Sequence, residues 1–164
     1  MKRIQRIDLQ LQRLVAVSHW SFAIGLRIRF NHPTLLYQTY PEAWIVHYAR
    51  NGLLFVDPAV GWGMTNIGIC DWDDLVAGDS AGVLKQAADY GLLHGIVVSV
   101  GDMATRSLGF FASSEAPIAE HNRLLAQDVV LRLHEEAEGL ADLAPSDLAA
   151  FVALNDRLRS PPAG

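Results

Sequence analysis

Residues 20–40 read WSFAIGLRIRFNHPTLLYQTY. Trp20, Phe22, Ile24, Leu26, Ile28 and Phe30 alternate with Ser21, Ala23, Gly25, Arg27 and Arg29. Successive side chains of an extended chain point to opposite faces. This period of two therefore sets six apolar residues on one side and predicts a half-buried strand. Asn31-His32-Pro33 reads as a turn, and residues 35–40 as the return strand of a hairpin.

Upstream, Ile4, Ile7, Leu11, Leu14 and Val15 recur at helical spacing, opposite Gln5, Asp8, Gln12 and Arg13. Downstream, Pro41 suits the first turn of a helix that runs to about Arg50, with Asn51-Gly52 as its stop. Asp57-Pro58 marks a break, and residues 59–66 form a loop or short helix. Ile67 and Ile69 suggest a short strand, and Ser80 can cap a helix ending near Gly91. Two strands follow, 96–100 and 107–112, joined at Gly101-Asp102. Ser114 can cap a last long helix with Pro117 in its first turn and Ile118, Leu125, Val129 and Leu133 as its buried stripe. Hairpins interleaved with helices predict an α+β fold: an α/β/α sandwich around a mainly antiparallel sheet of about five strands, of the PAS/GAF kind.

The chain has 164 residues, 51% hydrophobic and 19% charged, enough for one domain with its own core. Its net charge is −5 and its basic residues are dispersed, which argues against direct DNA binding. The lone Cys70 excludes an intramolecular disulfide and suits a reducing compartment. The start lacks the pattern of a secretion signal and no apolar run is long enough to span a bilayer, so a soluble cytoplasmic protein is expected. The six histidines show no metal-ligand spacing, and neither a nucleophile elbow nor a phosphate loop occurs. Neither an enzyme nor a metal or other cofactor is therefore expected.

Residues 37–72 carry the chemistry: YQTYPEAWIVHYARNGLLFVDPAVGWGMTNIGICDW. Trp44 and Tyr48 lie four apart, so they share a helix face, and Tyr40 precedes that helix. Asp57 sits before Pro58, and Trp72 closes the segment. Indoles and phenols give apolar walls with hydrogen-bonding tips, and a carboxylate among them accepts strongly from an amide N–H. A ligand with one N–H, two carbonyls and an apolar tail would satisfy the set. Aromatic residues at helical spacing are also how a core packs, so spacing alone leaves both readings open.

Tyr40-Pro41-x-x-Trp44-x-x-x-Tyr48, then Asp57-Pro58, then Trp72 resembles the signature of the autoinducer-binding domain of LuxR-type quorum-sensing regulators. Ala88-Asp89-Tyr90-Gly91-Leu92-x-x-Gly95 and Ser107-Leu108 to Ala112-Ser113 are similar to its later blocks, in the same order. The resemblance implies a receptor for an acyl-homoserine lactone that takes part in transcription regulation. It implies that Trp44 donates to the lactone carbonyl, Asp57 accepts from the amide N–H, and Tyr40 donates to the acyl carbonyl. Tyr48 and Trp72 would pack against the ring, and the tail would run against Ile69 and Phe110.

Two positions depart from the pattern. Phe110 stands where the family often has Ser or Thr, with Ser113 as the candidate substitute. Ser99 replaces a usual Pro. Residues 1–140 are expected to form the binding domain and 141–164 a tail. Leu143-Ala144-Pro145-Ser146-Asp147-Leu148 weakly resembles the start of a helix-turn-helix domain that does not continue. Two functional readings follow: a lactone receptor that modulates a full-length regulator, or a ligand-independent module that pairs with one. A homodimer or such a heterodimer is the expected assembly. The resemblance leaves the acyl chain length and the 3-position substituent open.

Overall fold

The alternating stretch forms strand β1, Trp20–Ile28, in a computed structural model that describes residues 1–159. Strand β2, Leu35–Gln38, returns antiparallel, with Ala23 opposite Gln38 and Gly25 opposite Leu36. Strands β3 (Gly68–Asp71), β4 (His94–Val100) and β5 (Arg106–Ser113) complete an antiparallel sheet of order β2-β1-β5-β4-β3. Helices α1 (Arg3–Val15) and α5 (Glu120–Glu136) cover one face. Helices α2 (Glu42–Arg50), α3 (Pro58–Thr65) and α4 (Val83–Ala88) cover the other. The fold is the α/β/α sandwich that the element order predicts. Among the described residues no helix is long and apolar enough to cross a membrane.

The two faces of the sheet differ in side-chain size. Phe22, Ile24, Leu26, Ile96, Val98 and Phe111 are buried against Ile7, Leu11 and Leu14 of α1 and Val129 and Leu133 of α5. This is ordinary close packing of large apolar side chains. Gly109 lets α5 approach, since a Cβ there would lie 2.7 Å from Val130 Cγ2. The opposite face presents Ala23, Val97 and Ala112 beneath Trp44, Trp72 and Val83. Strand β1 is thus covered on both sides, not half-buried. Its second set of residues is small because that layer must leave room, not because it meets water.

Other differences have local causes. Phe30 leaves the apolar row: it is 97% exposed with φ of 51°, beyond the end of β1. Helix α2 starts after Pro41, which occupies the cap position. Residues 58–65 form α3, whose cap is Asp57. Ile67 is exposed and precedes β3. Ser80 does not cap α4: Gly82 holds the cap position, and the two carboxylate oxygens of Asp79 accept from Val83 N and Leu84 N at 2.9 Å each. Helix α5 begins at Glu120, after Pro117, because Ser113 Oγ accepts from the 115 and 116 amides and holds a turn there. The β4–β5 connection takes residues 101–105, ordered by Asp102 accepting from Ala104 N and Thr105 N.

The segment expected as a tail packs on the sheet as far as it is described. After Leu140–Asp142, helices α6 (Pro145–Val152) and α7 (Leu154–Arg159) lie along β2, an edge strand whose exposed polar groups they cover. Tyr37 Oη donates to Phe151 O at 2.8 Å, and Gln38 N donates to Asn155 Oδ1 at 2.8 Å. Leu140 and Leu154 belong to the main core. Residues 160–164 of that tail lie outside the described residues. Burial of Leu154 predicts that Leu154→Ala destabilises the whole sandwich by about 2–5 kcal/mol in a denaturant titration. A detached tail would give no change.

Candidate functional site

The small-residue face floors a cavity of about 330 Å³. Antiparallel register fixes the floor. Gln38, Ala23 and Phe110 lie side by side across β2, β1 and β5, and Leu36, Gly25 and Leu108 make the next such row. Tyr40, Trp44, Tyr48, Asp57 and Trp72 also line it, so the structure brings together two residues of α2, the residue two before it, the cap of α3 and the residue after β3. Four of the lining residues, Asn31, Leu36, Ala49 and Leu54, are exposed at its edge.

Each polar residue is placed by a local cause. Asp57 caps α3, its Oδ1 accepting from Ala59 N at 2.9 Å, and Pro58 starts the helix with no N–H to satisfy. Its Oδ2 accepts from Tyr48 Oη at 2.7 Å. The carboxylate can still accept from a further donor. Burial pushes the Asp57 carboxyl above the usual carboxylate range, and the Tyr48 and backbone donors pull against it. Burial, with Asp57 nearby, raises the Tyr48 and Tyr40 phenols far above their ordinary value. Both hydroxyls are therefore donors at neutral pH.

Trp44 is buried, its ring 5.5 Å from that of Tyr48, 5.4 Å from Tyr90 and 5.8 Å from His47. His47 is fixed in turn by Gln86 of α4 at 2.7 Å. Trp72 lies flat against the β4 backbone at Gly95, where any Cβ would overlap its ring. Tyr40 Oη and Trp72 Nε1 are buried with no hydrogen-bond partner in the protein. A buried donor left unpaired costs about 1–3 kcal/mol, so two in one cavity point to a ligand that accepts from them. Trp72 thus offers a polar tip as well as the packing surface expected of it.

Two expected lining residues are elsewhere. Ile69 pairs with Val98, and paired residues share a sheet face, so it packs with the α1–α5 core. Ser113 is an odd number of residues from Phe110, so it too faces away, and its hydroxyl is engaged in the turn before α5. It does not substitute at position 110. Ser99 takes a different role: its buried Oγ donates to Gly63 O at 2.7 Å and ties α3 to β4.

Several lining residues carried no sequence signal of a site. Val60 and Met64 come from α3, and Val83, Leu84 and Ala87 from α4, and as apolar helix residues they read as plain core. Ala23 and Gly25 were visible as the small positions of β1, but their smallness read as a solvent face. Ile28 reaches the cavity through a distortion of β1. Among the described residues no group of three or more His, Cys, Asp or Glu is placed to hold a metal ion.

Comparison with known proteins gives one consistent picture. The autoinducer binding domain family matches residues 19–137. The chain is 26% identical to the regulatory protein SdiA of Escherichia coli K12 over 153 residues, 93% of this chain and 60% of that protein. It is 27% identical to the quorum-sensing regulator RhlR of Pseudomonas aeruginosa over 95 residues, 57% of this chain and 39% of that protein. A solved structure of SdiA in complex with octanoyl-rac-glycerol superposes with a TM-score of 0.55 and 25% identity, covering 98% of this chain and 62% of that one. The chain thus spans about three fifths of the length of SdiA.

The Tyr48 donor is the largest of the hydrogen bonds that restrain the rise of the Asp57 carboxyl, ahead of the backbone donors. Tyr48→Phe should raise its titration midpoint further, followed by carbon NMR of the carboxyl group. A midpoint that stays or falls would mean that the bond does not form.

Proposed function

Because the chain belongs to the autoinducer-binding domain family, we propose that its cavity binds an acyl-homoserine lactone and that the protein acts as a quorum-sensing receptor. The observation that carries this reading is the pair of buried, unpartnered donors, Tyr40 Oη and Trp72 Nε1, on residues that line one cavity together with Asp57. An acylated amide beside a lactone supplies acceptors for those donors and one N–H for Asp57. The amide N–H donates to Asp57, while Tyr40 and Trp72 donate to the acyl carbonyl. Trp44, walled by Tyr48 and Tyr90, donates to the lactone carbonyl. The tail lies over Ala23 and Gly25, where small side chains leave the space. SdiA in its solved complex holds an octanoyl ester, which supports an acyl-chain ligand and makes a monoacylglycerol the proper competitor in the test.

Calorimetry with a lactone panel checks this directly. Trp44→Phe keeps an aromatic ring but removes the indole N–H, and Asp57→Asn keeps the shape but loses the charge and one acceptor oxygen, so both should bind at least several-fold more weakly while staying folded. Binding to the native protein should also weaken as pH falls through the raised Asp57 value, because the ligand N–H needs the ionised acceptor. Native affinity in both variants, or tighter binding of the monoacylglycerol with no dependence on Asp57, would contradict the lactone reading.

The receptor is proposed to self-associate, or to pair with a related regulator, through α5. Leu124 and Leu131 lie seven residues apart on it and stay 55% and 43% exposed, while α1 occupies another side through Arg13–Asp128 and Arg6–Glu136 pairs. Sedimentation should show a dimer that Leu124→Ser with Leu131→Ser dissociates. A native monomer at all concentrations would contradict self-association.

A further inference from the structure

Strand β1 does not keep its alternation to the end. Ile24 and Leu26 are fully buried in the α1–α5 core, and a period of two would put Ile28 with them. The register instead shifts between Gly25 and Ile28, and Arg27 takes a left-handed φ of 54°. Such a bulge re-aims the side chains that follow it. Ile28 consequently lies on the cavity face.

A left-handed arginine is an unfavourable conformation, and it persists only where its surroundings hold it. Three elements do so here. Arg27 N donates to Ser107 Oγ of β5 at 3.0 Å. Arg27 Nε donates to the carbonyl of His134 on α5 at 2.9 Å. Thr34 Oγ1, from the hairpin, donates to Arg27 O at 3.1 Å. Ser107 is itself fixed by His134 Nδ1 at 2.6 Å.

The bulge lies at one end of the cavity. Trp72 rests on Gly95, which pairs with Ala112, which pairs with Ser21. Gln38, two residues before Tyr40, pairs with Ala23. Trp72 and Tyr40 therefore lie near the level of residues 21–23, and Gly25 and Ile28 lie further along β1, away from them. At that end a methyl group on Gly25 would lie 3.5 Å from both Ile28 Cδ1 and Pro33 Cβ. Ile28 and Pro33 close over the floor there at van der Waals distance.

We propose that this bulge is an acyl-chain gauge: it turns Ile28 out of the helix-side core and onto the cavity floor, where Ile28 with Pro33 stops the chain and sets its preferred length. The inference rests on the lactone reading of the cavity. Ile28 is a specificity residue, and Arg27, Ser107 and His134 are positioning residues behind it.

The test is calorimetry of the whole protein with homoserine lactones of increasing acyl length. Ile28→Ala removes three side-chain carbons from the stop and should lengthen the preferred chain by roughly two carbons. Two buried methylene groups correspond to roughly tenfold in relative affinity. Ile28→Phe should shorten the preference. Ile24→Val, on the same strand but facing α5, should leave it unchanged. If one Ile28 variant does not fold, Gly25→Ala, which fills the floor at ordinary contact distance, should shorten the preference. An unchanged ranking of chain lengths in the folded Ile28 and Gly25 variants overturns the gauge and leaves the lactone reading standing. Failure of the native protein to bind any lactone overturns that reading and the gauge with it.

Discussion

Both faces of the central sheet are covered, but only one is filled with large side chains. Every other feature of the site depends on that constraint. On the α1–α5 side, Phe22, Ile24, Leu26 and Phe111 pack as fully buried side chains against the helices. On the other side, Ala23, Gly25 and Ala112 give the sheet a low surface, and α2, α3 and α4 stand over it on aromatic and aliphatic pillars. The difference in residue size across one strand is thus a difference between core and cavity. Closing that space with larger floor residues would add apolar burial and remove the site.

The cavity would be a plain apolar void without its polar end. There the same groups do structural and chemical work. Asp57 starts α3, accepts from Tyr48 of α2, and keeps lone pairs for a third donor. Trp44 packs α2 against Tyr90, and His47 ties α2 to α4 through Gln86. The helices over the cavity are therefore positioned by the residues proposed to read the ligand. Tyr40 and Trp72, buried and unpartnered, are the part of the arrangement that the protein alone does not satisfy.

Much of this was legible in the sequence, because the relevant signals are local. Period two revealed β1, helical spacing put Trp44 with Tyr48, and Asp-Pro marked the break at which α3 begins. What failed was the assignment of faces over longer range. Ile69 and Ser113 are near cavity residues in sequence, but parity within their strands turns them to the other side. Ile28 belongs to the opposite class: alternation assigned it to the apolar row, and a left-handed Arg27 moved it to the cavity. No residue type announces that bulge, since it is held by Ser107 and His134, 80 and 107 residues away. The docking of α6 and α7 on β2 was likewise invisible, because it depends on Tyr37 and Gln38 finding partners beyond residue 150.

The four tryptophans give the most direct view of the central claim, that a lactone head group is held by the donors around Asp57. Trp44 and Trp72 line the cavity, whereas the Trp20 indole is bonded to Leu14 O at 3.0 Å on the far side of the sheet. Trp62 packs beside the cavity without lining it. Proton–nitrogen NMR of the indole groups during titration with an acyl-homoserine lactone should move the Trp44 and Trp72 signals strongly and saturably, and leave Trp20 in place. Binding that leaves the Trp44 and Trp72 signals unmoved, or that moves Trp20 instead, would contradict the account.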